Sequence, residues 1–322
     1  MRSIIIAAWL ALMSASSPVI AQSAPSVTWV TLGTQGGPLP NAQRSQPANL
    51  LQLADGSTIL VDAGDGAVEQ LAGAHVSLAQ VRTLFLSHLH FDHTAGVLAL
   101  IGLRYQTDQP GVLTIYGPSG TKAFVEGLIA AMQPAATAGY GIPGKTAIPP
   151  ISTVSVVELG DGATVSVGPV IVRAAKNTHY SFSPGSDLDL QYQSIAYRFD
   201  APGRSIVYTG DTGPSDAVVQ LAMGADLLVS EMIDVEATVA KVKRIKPTLS
   251  GPLESAMVQH LSSHHLTPAQ VGELARAANV KSLVLTHFAP GDVSPDVEAK
   301  HRTEIGRSYR GPVAFATDLD RF

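Results

Sequence analysis

Thr83-Leu84-Phe85-Leu86-Ser87-His88-Leu89-His90-Phe91-Asp92-His93-Thr94-Ala95-Gly96 is the stretch on which the fold turns. Its apolar start reads as a buried strand that runs into a loop carrying four metal-ligand side chains, with Thr94 placed to cap a following helix. In an extended segment His88, His90 and Asp92 project to one side, and a turn into a helix swings His93 round beside them. Two pairs of ligands then face two points. Imidazole and carboxylate at this density suit zinc or a similar first-row cation, and one ion seldom takes four ligands from a single loop. The spacing therefore predicts a dinuclear site. The alternative is a polar loop with surface histidines, which a lone His-x-His pair would favour.

Around this loop the chain alternates strands and helices. Strands are expected at 27–32, 57–62, 112–116, 154–159, 164–172, 191–199, 204–208, 225–229 and 282–286, and helices at 121–132, 253–261 and 267–278. The segment 134–150 has no clear period and reads as a long irregular excursion, a candidate lid or substrate wall. His179, Asp211, Glu231 and His287 each stand at or just past the end of an expected strand, where open sheets gather their active sites. Asp62 also closes a strand, and either orients a ligand histidine or merely completes a turn. His75, His260 and His301 have no informative surroundings and read as surface residues.

The 322 residues, 45% of them hydrophobic, suffice for a substantial core. Residues 1–21 read as a secretory signal: Arg2, an apolar run from Ile4 to Met13, and small residues before the cleavage point at Ala21. A mature domain over 22–322, exported to the periplasm or the medium, is the expectation. The apolar run is too short to span a bilayer, so no stable membrane anchor is expected. Loss of Arg2 makes the mature chain one unit more acidic than the formal −5 of the whole sequence. That balance argues against a nucleic-acid groove, which needs clustered cations, and Lys241, Lys243, Arg244 and Lys246 read as a solvated helix face. With no cysteine, disulfides, thiolate ligands and thiol nucleophiles are excluded.

The intact His88-Leu89-His90-Phe91-Asp92-His93 run resembles the hallmark of the metallo-β-lactamase superfamily. Leu32-Gly33-Thr34, Arg44, Tyr116-Gly117-Pro118 and Ser194-Ile195-Ala196-Tyr197-Arg198-Phe199 resemble the branch that holds tRNA 3′-processing endonucleases, arylsulfatases and phosphodiesterases. The resemblance implies an α/β fold, a four-layer αββα sandwich of two similar halves with two Zn2+ ions at one edge; Mn2+ and Fe2+ are the alternatives. It assigns His88, His90 and His179 to one ion, Asp92, His93 and His287 to the other, and Asp211 to a bridge. Glu231 and His265 resemble the branch's proton-relay pair, with His264 as the competing histidine and a plain structural role as the competing reading for both. Such ions, on the order of 3.5–4 Å apart, acidify a shared water, which Asp92 and its fellow ligands would direct at a phosphorus, sulfur or carbonyl centre.

Substrates rank by what is missing. The lactamase subclass with a cysteine ligand is excluded; the all-histidine subclass stays open as an alternative given the expected export, although it has no bridging acid where Asp211 stands, and a lactonase of the same fold is a further alternative. Maturation of tRNA matches the run of ligands but conflicts with the leader and the acidic balance. The expectation is therefore an exported hydrolase of phosphodiesters, aryl sulfates or lactone-like esters, with a small-molecule substrate and no nucleic-acid partner. A member that binds metal without turnover is the alternative of another class. Pairing into a homodimer is a further expectation of the resemblance.

Overall fold

Consecutive strand residues point to opposite faces, and here both faces are apolar: Leu84 packs outward beneath helices while its neighbour Phe85 packs inward. A strand of this kind must be covered on both sides. The computed structural model describes residues 27–142, 148–291 and 293–322. The expected 1–21 leader and the middle of the expected 134–150 excursion lie outside the described residues.

The first sheet contains β1 (Val27–Gly33), β2 (Ala48–Leu53), β3 (Thr58–Ala63), β4 (Val81–Phe85), β5 (Leu113–Gly117), β6 (Val154–Glu158) and the closing β14 (Asp320–Arg321), in the order β14-β1-β2-β3-β4-β5-β6. The second contains β7 (Thr164–Val167), β8 (Val170–Lys176), β9 (Ile195–Ala201), β10 (Arg204–Tyr208), β11 (Leu227–Ile233), β12 (Leu283–Ala289) and β13 (Val313–Phe315), in the order β13-β12-β11-β10-β9-β8-β7. Each is antiparallel in one half and parallel in the other, with the parallel halves at β3 to β6 and β10 to β13.

Helices α1 (Ala67–Gly73), α2 (Phe91–Thr94), α3 (Val97–Gln106) and α4 (Thr121–Ala138) belong to the first half. The second holds α5 (Asp187–Gln191), α6 (Asp216–Ala222), α7 (Val235–Ile245), α8 (Gly251–Ser263), α9 (Pro268–Ala277) and α10 (Pro295–Ile305). Three apolar clusters follow: Leu84, Leu100 and Val125 outside the first sheet, Trp29, Phe85, Tyr197 and Phe199 between the sheets, and Val207, Val271 and Ile305 outside the second. The expected αββα sandwich is the observed fold. Tyr197 crosses between the sheets to donate its hydroxyl hydrogen to the Leu86 carbonyl, 2.9 Å away.

Several boundaries differ from expectation. The strand expected over 164–172 is a hairpin, because Gly168 at φ 54° lets the chain turn between Val167 and Val170. The start of the strand expected over 191–199 is taken by α5, capped by Ser186, so β9 begins only at Ile195. Helix α4 continues through Pro134 to Ala138, since Met132 and Ala136 keep its inner face buried; the excursion starts later than the composition suggested. Thr94 caps nothing. It ends α2, and its hydroxyl donates to the His90 carbonyl.

Candidate metal centre

Beyond the end of β4 the chain stays extended through His90, whose ψ of 148° precedes the single turn of α2. His88 and His90 thus face one point, and the loop that follows β8 brings His179 to it. His90 Nδ1 lies 3.1 Å from His88 Nε2 and 3.0 Å from His179 Nε2. A tetrahedral cation holding nitrogens at about 2.0–2.1 Å would separate them by about 3.3 Å, so these rings are set for a shared ion. Burial holds the His88 and His179 imidazoles well below their ordinary pKa, and partial desolvation lowers His90, the member that reaches solvent. Neutral rings with free lone pairs are what a cation requires.

Asp92 does not join this trio, as side-chain alternation had suggested. Residues 91–94 are helical, which turns its carboxylate to the second cluster: Asp92 Oδ2 is 3.7 Å from both His93 Nε2 and His287 Nε2. Asp211 lies between the clusters. Its Oδ1 is 3.3 Å from His93 Nε2, and its Oδ2 is 3.2 Å from His287 Nε2 and 4.0 Å from His179 Nε2. Among the described residues, His93 Nε2 and Asp211 Oδ1 are buried without a hydrogen-bond partner, an arrangement that costs free energy unless a cation occupies it. Burial opposes protonation of His287, but the Asp211 carboxylate outweighs it and pushes the ring up to about 10. His93 is raised in the same sense. Burial alone would raise the Asp211 carboxyl, yet His287 and His93 hold it well below the carboxylate range. Here the acids attract protons that a cation would replace. The donor set fits a pair of cations.

Two of these side chains are aimed by bulges. Asp62 and His287 sit at φ 57° and 48°, a region costly for residues other than glycine, at register shifts in β3 and β12. His287 and Glu231 therefore lie within strands rather than beyond their ends. Asp62, left open by the sequence, orients His93: its Oδ2 accepts from His93 Nδ1, the Tyr208 hydroxyl and the Ser87 hydroxyl at 2.8 Å each, and its Oδ1 accepts from Ser87 N at 2.7 Å. The opposite ring nitrogen of His93 is thereby turned to the centre.

Glu231 and His265 are brought together, with His265 Nδ1 donating to Glu231 Oε2 over 2.8 Å. Glu231 Oε1 accepts the Thr212 N–H at 2.6 Å. Burial raises Glu231; in His265 burial works the other way, but the Glu231 charge overcomes it and raises the imidazole. Both contacts to Glu231 favour its carboxylate form, and that carboxylate in turn favours a protonated His265 ring. The neighbouring His264 serves the trio instead: its ring meets the Thr178 carbonyl, and its own carbonyl accepts from His179 Nδ1 at 3.2 Å.

Two histidines expected on the surface are not there. His301 is buried, its Nε2 3.2 Å from Asp234 Oδ2, on the helix α10 that packs against α9. His260 is half-buried on α8, with Nδ1 2.9 Å from the Ser181 hydroxyl and its ring 5.6 Å from those of His179 and His265. No pattern around either pointed to this, since both placements arise from helix packing.

A sandwich of two such sheets with paired His and Asp clusters at one edge defines a metal-dependent hydrolase. Residues 57–288 match the family model described as a beta-lactamase superfamily domain, and the chain belongs to that family, in its tRNA-processing and phosphodiesterase branch. It is 31% identical to the ribonuclease Z of Mycobacterium avium (strain 104) over 297 residues, which cover 91% of this chain and 96% of that protein. To the ribonuclease Z of Mycobacterium sp. (strain KMS) it is 32% identical over 298 residues, covering 91% and 94%. The crystal structure of the short form of human tRNase Z superposes with a TM-score of 0.60 at 22% identity, over 92% of this chain and 98% of that one.

These relatives overturn the exclusion of nucleic acid and the restriction to a small-molecule substrate. Net charge is a weak ground for that exclusion, because it is summed over the whole chain and says little about the charge around any one bound group.

Proposed function

We propose that the chain is a two-cation phosphodiesterase whose substrates include RNA. The observation that carries this reading is the convergence of seven side chains from distant parts of the sequence on two adjoining points, with Asp211 between them. The names of the curated relatives supply the substrate class. Zinc is the first choice of cation, because the donors are imidazoles and carboxylates without thiolate or carbonyl.

Two such cations, when bound, supply an acidified water and draw charge from a phosphoryl oxygen. The chain's own residues do the rest. Asp62 fixes the His93 ring and the His264 carbonyl fixes that of His179. Protonated on both ring nitrogens, His265 would keep its Nδ1 hydrogen on Glu231 and offer the Nε2 hydrogen to a leaving oxygen. Lys241 and Lys243 are already engaged by the Pro290 carbonyl and Glu254, so the solvated face anticipated there makes no long phosphate track. Binding then depends on the immediate surroundings of the scissile bond.

We also keep export as part of the proposal, on the strength of the apolar leader; N-terminal sequencing of the secreted form should begin at residue 22. The functional test is turnover of bis(p-nitrophenyl) phosphate and of a short RNA by purified protein. Activity should vanish on chelation and return with zinc. p-Nitrophenyl sulfate belongs in the same panel, because an aryl sulfate presents a similar tetrahedral centre. Reloaded protein that cleaves no phosphodiester would defeat the proposal.

A further inference from the structure

Next to the histidine trio the chain carries aromatic rings that none of the roles above use. Tyr180 stands edge-on to His90 at 5.3 Å between centroids, Phe182 lies 5.5 Å from Tyr180, and Tyr192 lies 6.3 Å from Phe182. The row leads outward from the metal centre. Tyr180 and Phe182 are half-buried, and Tyr192 is exposed. We infer that Tyr180, Phe182 and Tyr192 form a stacking strip for the nucleobase beside the scissile phosphodiester. This rests on the phosphodiesterase reading above and gives it a substrate contact.

The strip is held rigid from several sides. The Leu89 backbone bonds the Tyr180 hydroxyl. His264 engages the Thr178 carbonyl, and His260 engages the Ser181 hydroxyl at 2.9 Å, pinning both sides of Tyr180 to α8. Beyond it, Ser186 caps α5, and Lys176 pairs with Asp189 at 2.6 Å. A preformed site of this kind loses little entropy on binding.

Its chemistry points to a ring rather than a charge. The Lys176 ammonium is neutralised by Asp189, and Leu188 and Leu190, on the α5 turn between Phe182 and Tyr192 in the chain, are exposed and apolar. Stacking on aromatic side chains suits every base because each has a π-face. It also lets an acidic protein hold RNA without a basic groove, since affinity comes from the ring next to the phosphate and from the cations beneath it. Continuity with the donor cluster decides the occupant: a base bonded through its sugar to the reacting phosphate is the flat apolar group that must lie there.

The test uses short single-stranded RNA with either a base or an abasic nucleotide flanking the cleaved bond. Wild type, Phe182→Leu and Phe182→Tyr are compared; leucine keeps the bulk without the π-face, in case alanine would loosen the loop. For wild type, removing the base should raise KM roughly tenfold, in line with the cost of losing one stacked base. Phe182→Leu should lose most of that sensitivity, and Phe182→Tyr should retain it. Equal sensitivity in wild type and Phe182→Leu, or none in wild type, would overturn the strip. Wild type that cleaves bis(p-nitrophenyl) phosphate but ignores the base sinks the strip alone, whereas failure on every phosphodiester sinks the functional proposal with it.

Discussion

Asp211 and His265 differ in what their removal should do. Asp211 is within reach of both clusters, so Asp211→Ala should lose bound metal and activity together. His265 is tied to Glu231, and His265→Ala should keep its metal while kcat falls roughly 10²–10⁴-fold, the usual contribution of a positioned proton donor. Metal analysis beside steady-state rates separates the two; undiminished turnover in His265→Ala would remove that residue from the mechanism. Asp62 acts one step back. Asp62→Ala frees the His93 ring and should weaken metal affinity roughly 10–100-fold, read by competition with a chromogenic chelator. Unchanged affinity would mean that Asp62 serves only Ser87 and Tyr208.

At the scale of elements, close approach sets the site. Gly213 follows the β10 loop so tightly that a Cβ would stand 2.0 Å from the Ser263 carbonyl oxygen, and a backbone atom cannot yield cheaply. Gly213→Ala should therefore push the end of α8 away, carrying His264 and His265 with it, and depress kcat at least roughly tenfold in a protein that still binds metal. Asp226, just before β11, is partly desolvated, which would raise its carboxyl, but its contacts to Lys281 and Ser205 prevail and hold it at about 2, below its ordinary 3.8. A depressed carboxyl stabilises the fold above its unfolded pKa, and that stabilisation fades as pH falls from near 4 through about 2. Thermal melts should show Asp226→Asn lowering Tm at neutral pH, with the gap to wild type closing in strong acid. A gap constant down to about pH 2 would contradict it. Much at this scale was hidden in the sequence. The ligand loop was legible because four ligand side chains followed one apolar strand, but the bulges at Asp62 and His287 leave no sequence mark. The hairpin at Gly168 and the helix that passes Pro134 escaped for a related reason, since tertiary packing overrode local punctuation.

Across the whole molecule, the two sheets meet through Trp29, Phe85, Tyr197, Phe199 and Tyr208, and this shared layer fixes the edge where the site forms. Trp29 packs 5.8 Å from Phe199 and 6.0 Å from Tyr208, so Trp29→Ala should cost about 3–5 kcal/mol, measured by denaturant unfolding. A loss under about 1 kcal/mol would mean that the sheets associate without it. The sandwich was legible from strands apolar on both faces together with the resemblance carried by the ligand run. The exclusion of nucleic acid was misplaced, because whole-chain charge says little about the charge around a single bound group. What everything else depends on is the simultaneous holding of two cations. Metal content of the reconstituted chain, by mass spectrometry under native conditions, tests it without intermediaries: about two tightly bound ions per chain are expected. One ion or none, in folded protein supplied with excess zinc, would contradict it.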